Sequence, residues 1–155
     1  MKLEIQQMSQ EDAEAIAAWR YQGAYSFYDS DADADDLALL LSGEIRENRY
    51  FSALARDALV GFFEFKVSGS TVEIGLGLRP DHTGLGLGLA FVEEGMAFAR
   101  AQYAPREFRL SVATFNERAI RVYERAGFAP VRTYDHATAG SVHPFLEMAR
   151  SAADE

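Results

Sequence analysis

Cysteine is absent from the 155 residues, which excludes disulfides, thiolate metal sites and a cysteine nucleophile. A reducing cytoplasm is the compartment this fits. Met1 to Gln10 is polar and charged, whereas a secretory signal needs an apolar stretch of about 7–15 residues. Nor is there a run of about 18 apolar residues, the length read as a membrane-spanning helix, because Glu, Arg or Asp interrupts every hydrophobic stretch. Neither export nor a membrane partner is expected. A formal net charge of −9 repels phosphate backbones, and no Arg/Lys cluster is dense enough to offset it; nucleic acid is not an expected partner.

What is present suits an ordinary folded chain. Hydrophobic residues make up 48% and charged residues 25%, and a chain of this length usually forms one domain. One domain over residues 1–155, without repeat or linker, is the expectation.

Leu3 and Ile5 alternate with polar neighbours as in a half-buried strand, and Ser9 with Asp12 resembles a capping box opening a helix on Ala13, Ile16 and Ala17. The aromatic stretch Tyr21 to Tyr28 reads as irregular. Acidic residues from Asp29 to Asp36 suit the start of a short helix over Leu37 to Leu41. Tyr50 to Ala55 and Leu59 to Val67 read as strands joined near Arg56-Asp57, the second apolar enough to be central. Ser68-Gly69-Ser70 is a turn, and Val72, Ile74, Leu76 and Leu78 alternate in a fourth strand.

Leu85, Leu89, Val92, Met96 and Ala99 keep helical spacing, which predicts a long helix from about Gly86 to Tyr103, stopped before Pro105. Phe108, Leu110 and Val112 form a fifth strand. Asn116 is an N-cap for a helix with the face Ala119, Val122, Tyr123 and Ala126, ended by Gly127. Val131 to His136 and Val142 to Met148 close the chain as two strands around a turn at 137–141.

Between the fourth strand and the long helix lies Thr83-Gly84-Leu85-Gly86-Leu87-Gly88. Glycines there let successive N–H groups converge on phosphate oxygens at a helix N-terminus; tight packing of helix on strand would explain them as well. The spacing fits neither the G-x-G-x-x-G fingerprint, since Leu89 or Phe91 falls at the third glycine, nor the nucleoside triphosphate motif, since no Gly-Lys-Ser/Thr follows. His82, His136 and His143 lack metal-ligand spacing.

Leu76-Gly77-Leu78-Arg79-Pro80-Asp81-His82-Thr83-Gly84-Leu85-Gly86-Leu87-Gly88 resembles the acyl-CoA-binding motif of GNAT acetyltransferases, Q/R-x-x-G-x-G/A. Gly86 and Gly88 match its glycines, and Thr83 stands where the family has Gln or Arg. Val112 to Phe128 resembles the family's strand, Asn-capped helix and Tyr-x-x-x-Gly-Phe signature. The resemblance implies an α/β fold, a mixed and mostly antiparallel twisted sheet flanked by helices. It implies acetyl-CoA as co-substrate, no metal, and direct acetyl transfer to the primary amine of a small molecule or a protein N-terminus.

By that resemblance the fourth and fifth strands splay, and pantetheine lies between them, bonded by backbone groups of Leu76 and Leu78. Thr83, Gly84, Leu85, Gly86, Leu87 and Gly88 would cradle the pyrophosphate, with Arg118 and Arg121 as candidates to supply the charge Thr83 lacks. Asn116 would bond the pantetheine arm, although capping alone explains it equally. Tyr123 would protonate the departing thiolate; the alternative is a core tyrosine with a satisfied hydroxyl. Transfer also needs a proton acceptor for the amine, for which Glu73 is the first candidate and Glu64 the alternate. Trp19, Tyr21, Tyr25, Phe27 and Tyr28 line an acceptor pocket or make core or homodimer contacts. The acidic run attracts a cationic amine or is simply solvated. Two other readings of the chain are an acyl-CoA sensor without catalysis and an interaction module; a sensor needs neither Tyr123 nor a strand carboxylate.

Overall fold

The computed structural model describes residues 2–138 and 140–153. Seven strands form one sheet in the order β1-β2-β3-β4-β5-β7-β6: β1 is Glu4–Gln7, β2 Tyr50–Ala55, β3 Ala58–Ser68, β4 Thr71–Leu78, β5 Glu107–Ala113, β6 Ala129–Thr138 and β7 Ser141–Ser151. β4 and β5 pair in parallel and the other neighbours antiparallel, so the mixed, mostly antiparallel sheet is found. The parallel pairing covers only Thr71↔Glu107, Val72↔Phe108 and Glu73↔Arg109. Past Glu73 the two strands separate.

The helices are α1 (Gln10–Ala17), α2 (Ala34–Leu41), α3 (Gly43–Arg46), α4 (Gly88–Tyr103) and α5 (Glu117–Arg125). Strand alternation decides which face each residue takes. Phe63 and Phe65 of β3, Val72 and Ile74 of β4, and Phe108, Leu110 and Val112 of β5 join Phe91, Val92, Met96 and Ala99 of α4 in the main core. Phe63 stacks on Phe91 with ring centroids 4.5 Å apart. Fully burying a side chain of this size contributes about 1.5–3 kcal/mol, so this layer holds α4 to the sheet. Met8, Ala13, Ile16, Leu40 and Tyr50 form a second cluster under α1 and α2.

Local chemistry sets the helix ends. Ser9 caps α1 by accepting from the Asp12 amide, but the expected reciprocal bond of a capping box is not made, because the Asp12 carboxylate accepts from Ser52 instead, at 2.7 Å. Asp33 caps α2. Two expectations are corrected. The long helix begins at Gly88 rather than Gly86, because Gly84 and Gly86 adopt φ of +75° and +76°, outside the helical region. Leu85, predicted on its apolar face, precedes the helix and is 66% exposed. The irregular aromatic stretch is a 3-10 turn over Gly23–Tyr28, and the turn at 137–141 includes Ala139, which lies outside the described residues.

Candidate active site

Where β4 and β5 part, a cavity of about 520 Å³ opens. Its floor is Ile74 to Leu78 of β4 and Leu110, Ser111 and Val112 of β5. One wall is the turn from His82 to Gly88, and the opposite wall is α5 with Asn116, Arg118, Arg121, Val122, Tyr123 and Arg125. Trp19, Tyr21, Tyr25 and Tyr28 line its mouth from the N-terminal segment.

The sequence-derived candidates distribute unevenly around this space. Leu76, Leu78, Thr83, Gly84, Gly86, Leu87, Gly88, Asn116 and Tyr123 all line it. Leu85 does not; its side chain faces away. Glu73 does not either. It is exposed and lies within the closed stretch of the β4–β5 pairing, opposite Lys66 on β3 and Arg109 on β5. The side-chain period of two puts Glu73 and Gly75 on the same face, and only Gly75 reaches the cavity.

Glu64 is better placed. It pairs with Gly75 across β3–β4, where a side chain on Gly75 would stand 3.3 Å from Glu64 Oε1. Glu64 is not itself a lining residue, but its carboxylate stands beside Gly75, which is. Arg49 Nε donates to Glu64 Oε2 at 2.5 Å, and the Tyr50 phenol lies in the field of the same carboxylate. Burial and the Glu64 charge push the Tyr50 phenol well above its ordinary range. On the same side, Asp36 is raised by burial and by the nearby Asp33 and Glu64 charges. Three carboxylates thus share one region of the sheet's outer face.

Tyr123 projects from α5 with its ring 6.2 Å from Phe128. Burial, with the neighbouring Tyr28 phenol, drives its pKa far upward, so at neutral pH the hydroxyl keeps its proton. Asn116 Oδ1 accepts the Ala119 amide at 3.2 Å, making the N-cap, and Nδ2 donates to the Tyr28 hydroxyl at 3.2 Å. Leu78 O accepts from the Tyr21 hydroxyl at 2.7 Å, so a lid residue occupies this edge carbonyl of β4. Burial and Asp29 push the Tyr21 phenol up to about 12.

At the glycine turn, the Thr83 hydroxyl donates to Pro80 O at 2.7 Å, which leaves it no proton for a phosphate. Arg118 stands beside this turn: a guanidinium nitrogen lies 3.3 Å from where a side chain on Gly84 would begin, and the group stacks 4.5 Å from the Tyr25 ring centre. Helical spacing sets Arg118, Arg121 and Arg125 on the cavity side of α5. Of the histidines, His82 lines the cavity at the start of the turn. His82 contacts Asp81 at 2.9 Å, and His136 sits opposite His143 in the β6–β7 hairpin.

The family model "Acetyltransferase (GNAT) family" matches residues 10–128. The chain belongs to the GNAT acetyltransferase family. Its fold is shared by solved structures of low sequence identity. One is a chimera of the spermidine N-acetyltransferase SpeG of Vibrio cholerae and hSSAT, with TM-score 0.80, 20% identity, and 98% of this chain and 96% of that chain covered. A second is the Vibrio cholerae spermidine N-acetyltransferase in complex with CoA and spermine, with TM-score 0.77, 19% identity, and 97% and 95% covered. A third is a GNAT-family acetyltransferase from Bacillus anthracis, with TM-score 0.75, 17% identity, and 98% and 96% covered. No curated protein sequence matches. For this GNAT acetyltransferase, a residue that sequence reasoning passed over is Ser111 in the cavity floor, which no local pattern marks.

Proposed function

We propose that this acetyltransferase moves an acetyl group from acetyl-CoA to a primary amine of a cationic acceptor by direct transfer. The observation that carries the reading is the parting of β4 and β5 after three residue pairs over a glycine turn, with a protonated Tyr123 facing the gap. A strand-like pantetheine arm suits the unpaired backbone between the strands. Its pyrophosphate suits the amides of Gly84 to Gly88 at the start of α4 and the Arg118 guanidinium. Since Tyr21 holds Leu78 O, Leu76 is the edge residue left for the arm.

The amine then attacks the thioester carbonyl, the N–C bond forms, the C–S bond breaks, and the electron pair goes to sulfur. Tyr123 gives its proton to the thiolate. The amine's proton leaves toward Glu64 past Gly75, by way of water; this carboxylate replaces Glu73 in the reading because it stands beside a glycine that lines the cavity. The Asp33, Asp36 and Glu64 charges favour an acceptor carrying further positive charge. Spermidine and spermine, the ligands or substrates named for two of the structural neighbours, are therefore the first acceptors to try.

Purified protein with acetyl-CoA and a panel of amines, followed by free thiol release, tests the reading. Turnover with di- and polyamines above that with neutral-tailed primary amines is expected. Thiol release no faster than with buffer alone across the panel overturns it.

A further inference from the structure

Tyr28 ends the 3-10 turn Gly23–Tyr28, lines the same cavity as Tyr123, and is 37% exposed. Its phenolic oxygen accepts from Asn116 Nδ2 at 3.2 Å. Asn116 caps α5 just past the end of β5 at Ala113, so this donor belongs to the point where the splayed strand feeds the Tyr123 helix. A phenol oxygen that accepts this bond keeps its own proton to donate elsewhere. The Asn116 amide is itself oriented by its cap bond to Ala119, which fixes the direction of that donor.

The turn that carries Tyr28 is docked by the residue before it. Phe27 meets Phe115 edge-on at 5.6 Å and His143 at 4.8 Å between ring centres, and contacts Phe145 at 6.1 Å. Such aromatic pairs contribute about 0.5–1.5 kcal/mol each beyond their buried area. The Tyr28 hydroxyl is thus held from both sides, by packing of its turn and by the β5–α5 junction. Tyr123 lines the same cavity, about two helical turns along from the Asn116 cap that holds Tyr28.

From this arrangement we propose that Tyr28 is a catalytic hydrogen-bond donor to the sulfur of the acyl donor, acting beside Tyr123 as the C–S bond breaks. The inference rests on the acetyl-CoA reading above. Tyr28 keeps its proton throughout. Tyr123 transfers one proton to sulfur and regains it from solvent, while Tyr28 stabilises the charge that develops on sulfur before that transfer. Because Tyr28 arrives on the N-terminal aromatic turn, the donor is in place only when that turn is docked over the cavity.

The test reads the thiol of bound CoA directly, with no acceptor needed. Wild type and Tyr28→Phe are saturated with CoA, and thiolate absorbance is followed against pH, with CoA affinity measured by calorimetry. Loss of one hydrogen bond to a charged group should raise the bound thiol pKa by about one unit, with CoA affinity at neutral pH within a few-fold of wild type. With the best amine from the panel, kcat should fall about 10- to 100-fold with the KM for acetyl-CoA little changed. A purely structural tie between Tyr28 and Asn116 would leave the thiol pKa where it is, and that result overturns the inference even if kcat falls. If wild type binds no CoA, the proposed function itself fails and this inference with it; CoA binding with an unmoved thiol pKa sinks the Tyr28 role alone.

Discussion

At the residue scale, the most consequential departure from the family pattern is Thr83. Its hydroxyl is spent on Pro80 O, and a guanidinium from another element, Arg118, takes up position beside Gly84. If Arg118 binds the pyrophosphate, Arg118→Met should weaken CoA about 10- to 100-fold, the scale of one hydrogen bond to a charged group. Acetyl-pantetheine, which has no pyrophosphate, should bind both proteins alike. Calorimetry with the two ligands decides it: equal losses for both would mean that Arg118 serves only to stack on Tyr25. The glycines and the Asn116 cap were legible because each is a residue type that its local chemistry demands, and Tyr123 stood out through the Tyr-x-x-x-Gly-Phe resemblance. Glu73, the first candidate for the base, stands outside the cavity, because alternation along β4 gives its face but not the residue at which β4 leaves β5. Glu64 was named as the alternate base and Tyr28 among the pocket aromatics, but the partners that hold them there, Gly75 and Asn116, lie 11 and 88 residues away in sequence, a kind of proximity that no local pattern encodes.

At the element scale, α4 lies close to the sheet because Gly95 faces Phe63. A side chain added at Gly95 would collide with the Phe63 ring, which is fully buried and sandwiched against Phe65 and Phe91. Gly95→Ala should therefore destabilise by about 1–3 kcal/mol through overpacking, despite the better helix propensity of alanine. Urea unfolding of both proteins measures this; a stabilised variant would mean that Phe63 moves aside freely. Order and type of the longer elements followed from periodicity and caps. The start of α4 did not, since apolar spacing continues through Leu85 while positive φ at Gly84 and Gly86 forbids the helix there. The four residues of α3, Gly43 to Arg46, are too few to show any period. Arg46, 6% exposed, owes its burial to neutral acceptors at Met8 O, Leu40 O and Gln10 Oε1, a pattern visible only in three dimensions.

At the scale of the whole molecule, several phenols are held neutral by burial. Tyr21 is raised to about 12, and Tyr50 and Tyr123 are raised further. Below pH about 10, the ordinary tyrosine value, folded and unfolded chains both keep these protons and stability does not respond to them. From there to about pH 12 the unfolded chain releases protons that the fold retains, so stability falls as pH rises. Melting temperature should decline above about pH 10, and Tyr21→Phe should make the decline shallower; an unchanged slope would show that Tyr21 ionises freely in the fold.

The strand order carries a consequence of a different kind. β7 lies between β5 and β6, yet β6 comes first in the chain. During synthesis from the N-terminus, β6 emerges with no strand to pair with, and β5 has only the three residue pairs it shares with β4. Both wait for β7, which then pairs with β5 from Glu107 to Ala113 and with β6 from Ala129 to Thr138. The β5–α5 junction that positions Asn116 and Tyr123 is therefore anchored in the last step of assembly. A nascent chain can have its glycine turn and α4 in place and still lack the wall that α5 gives the cavity, so the cavity is finished only once β7 has been made.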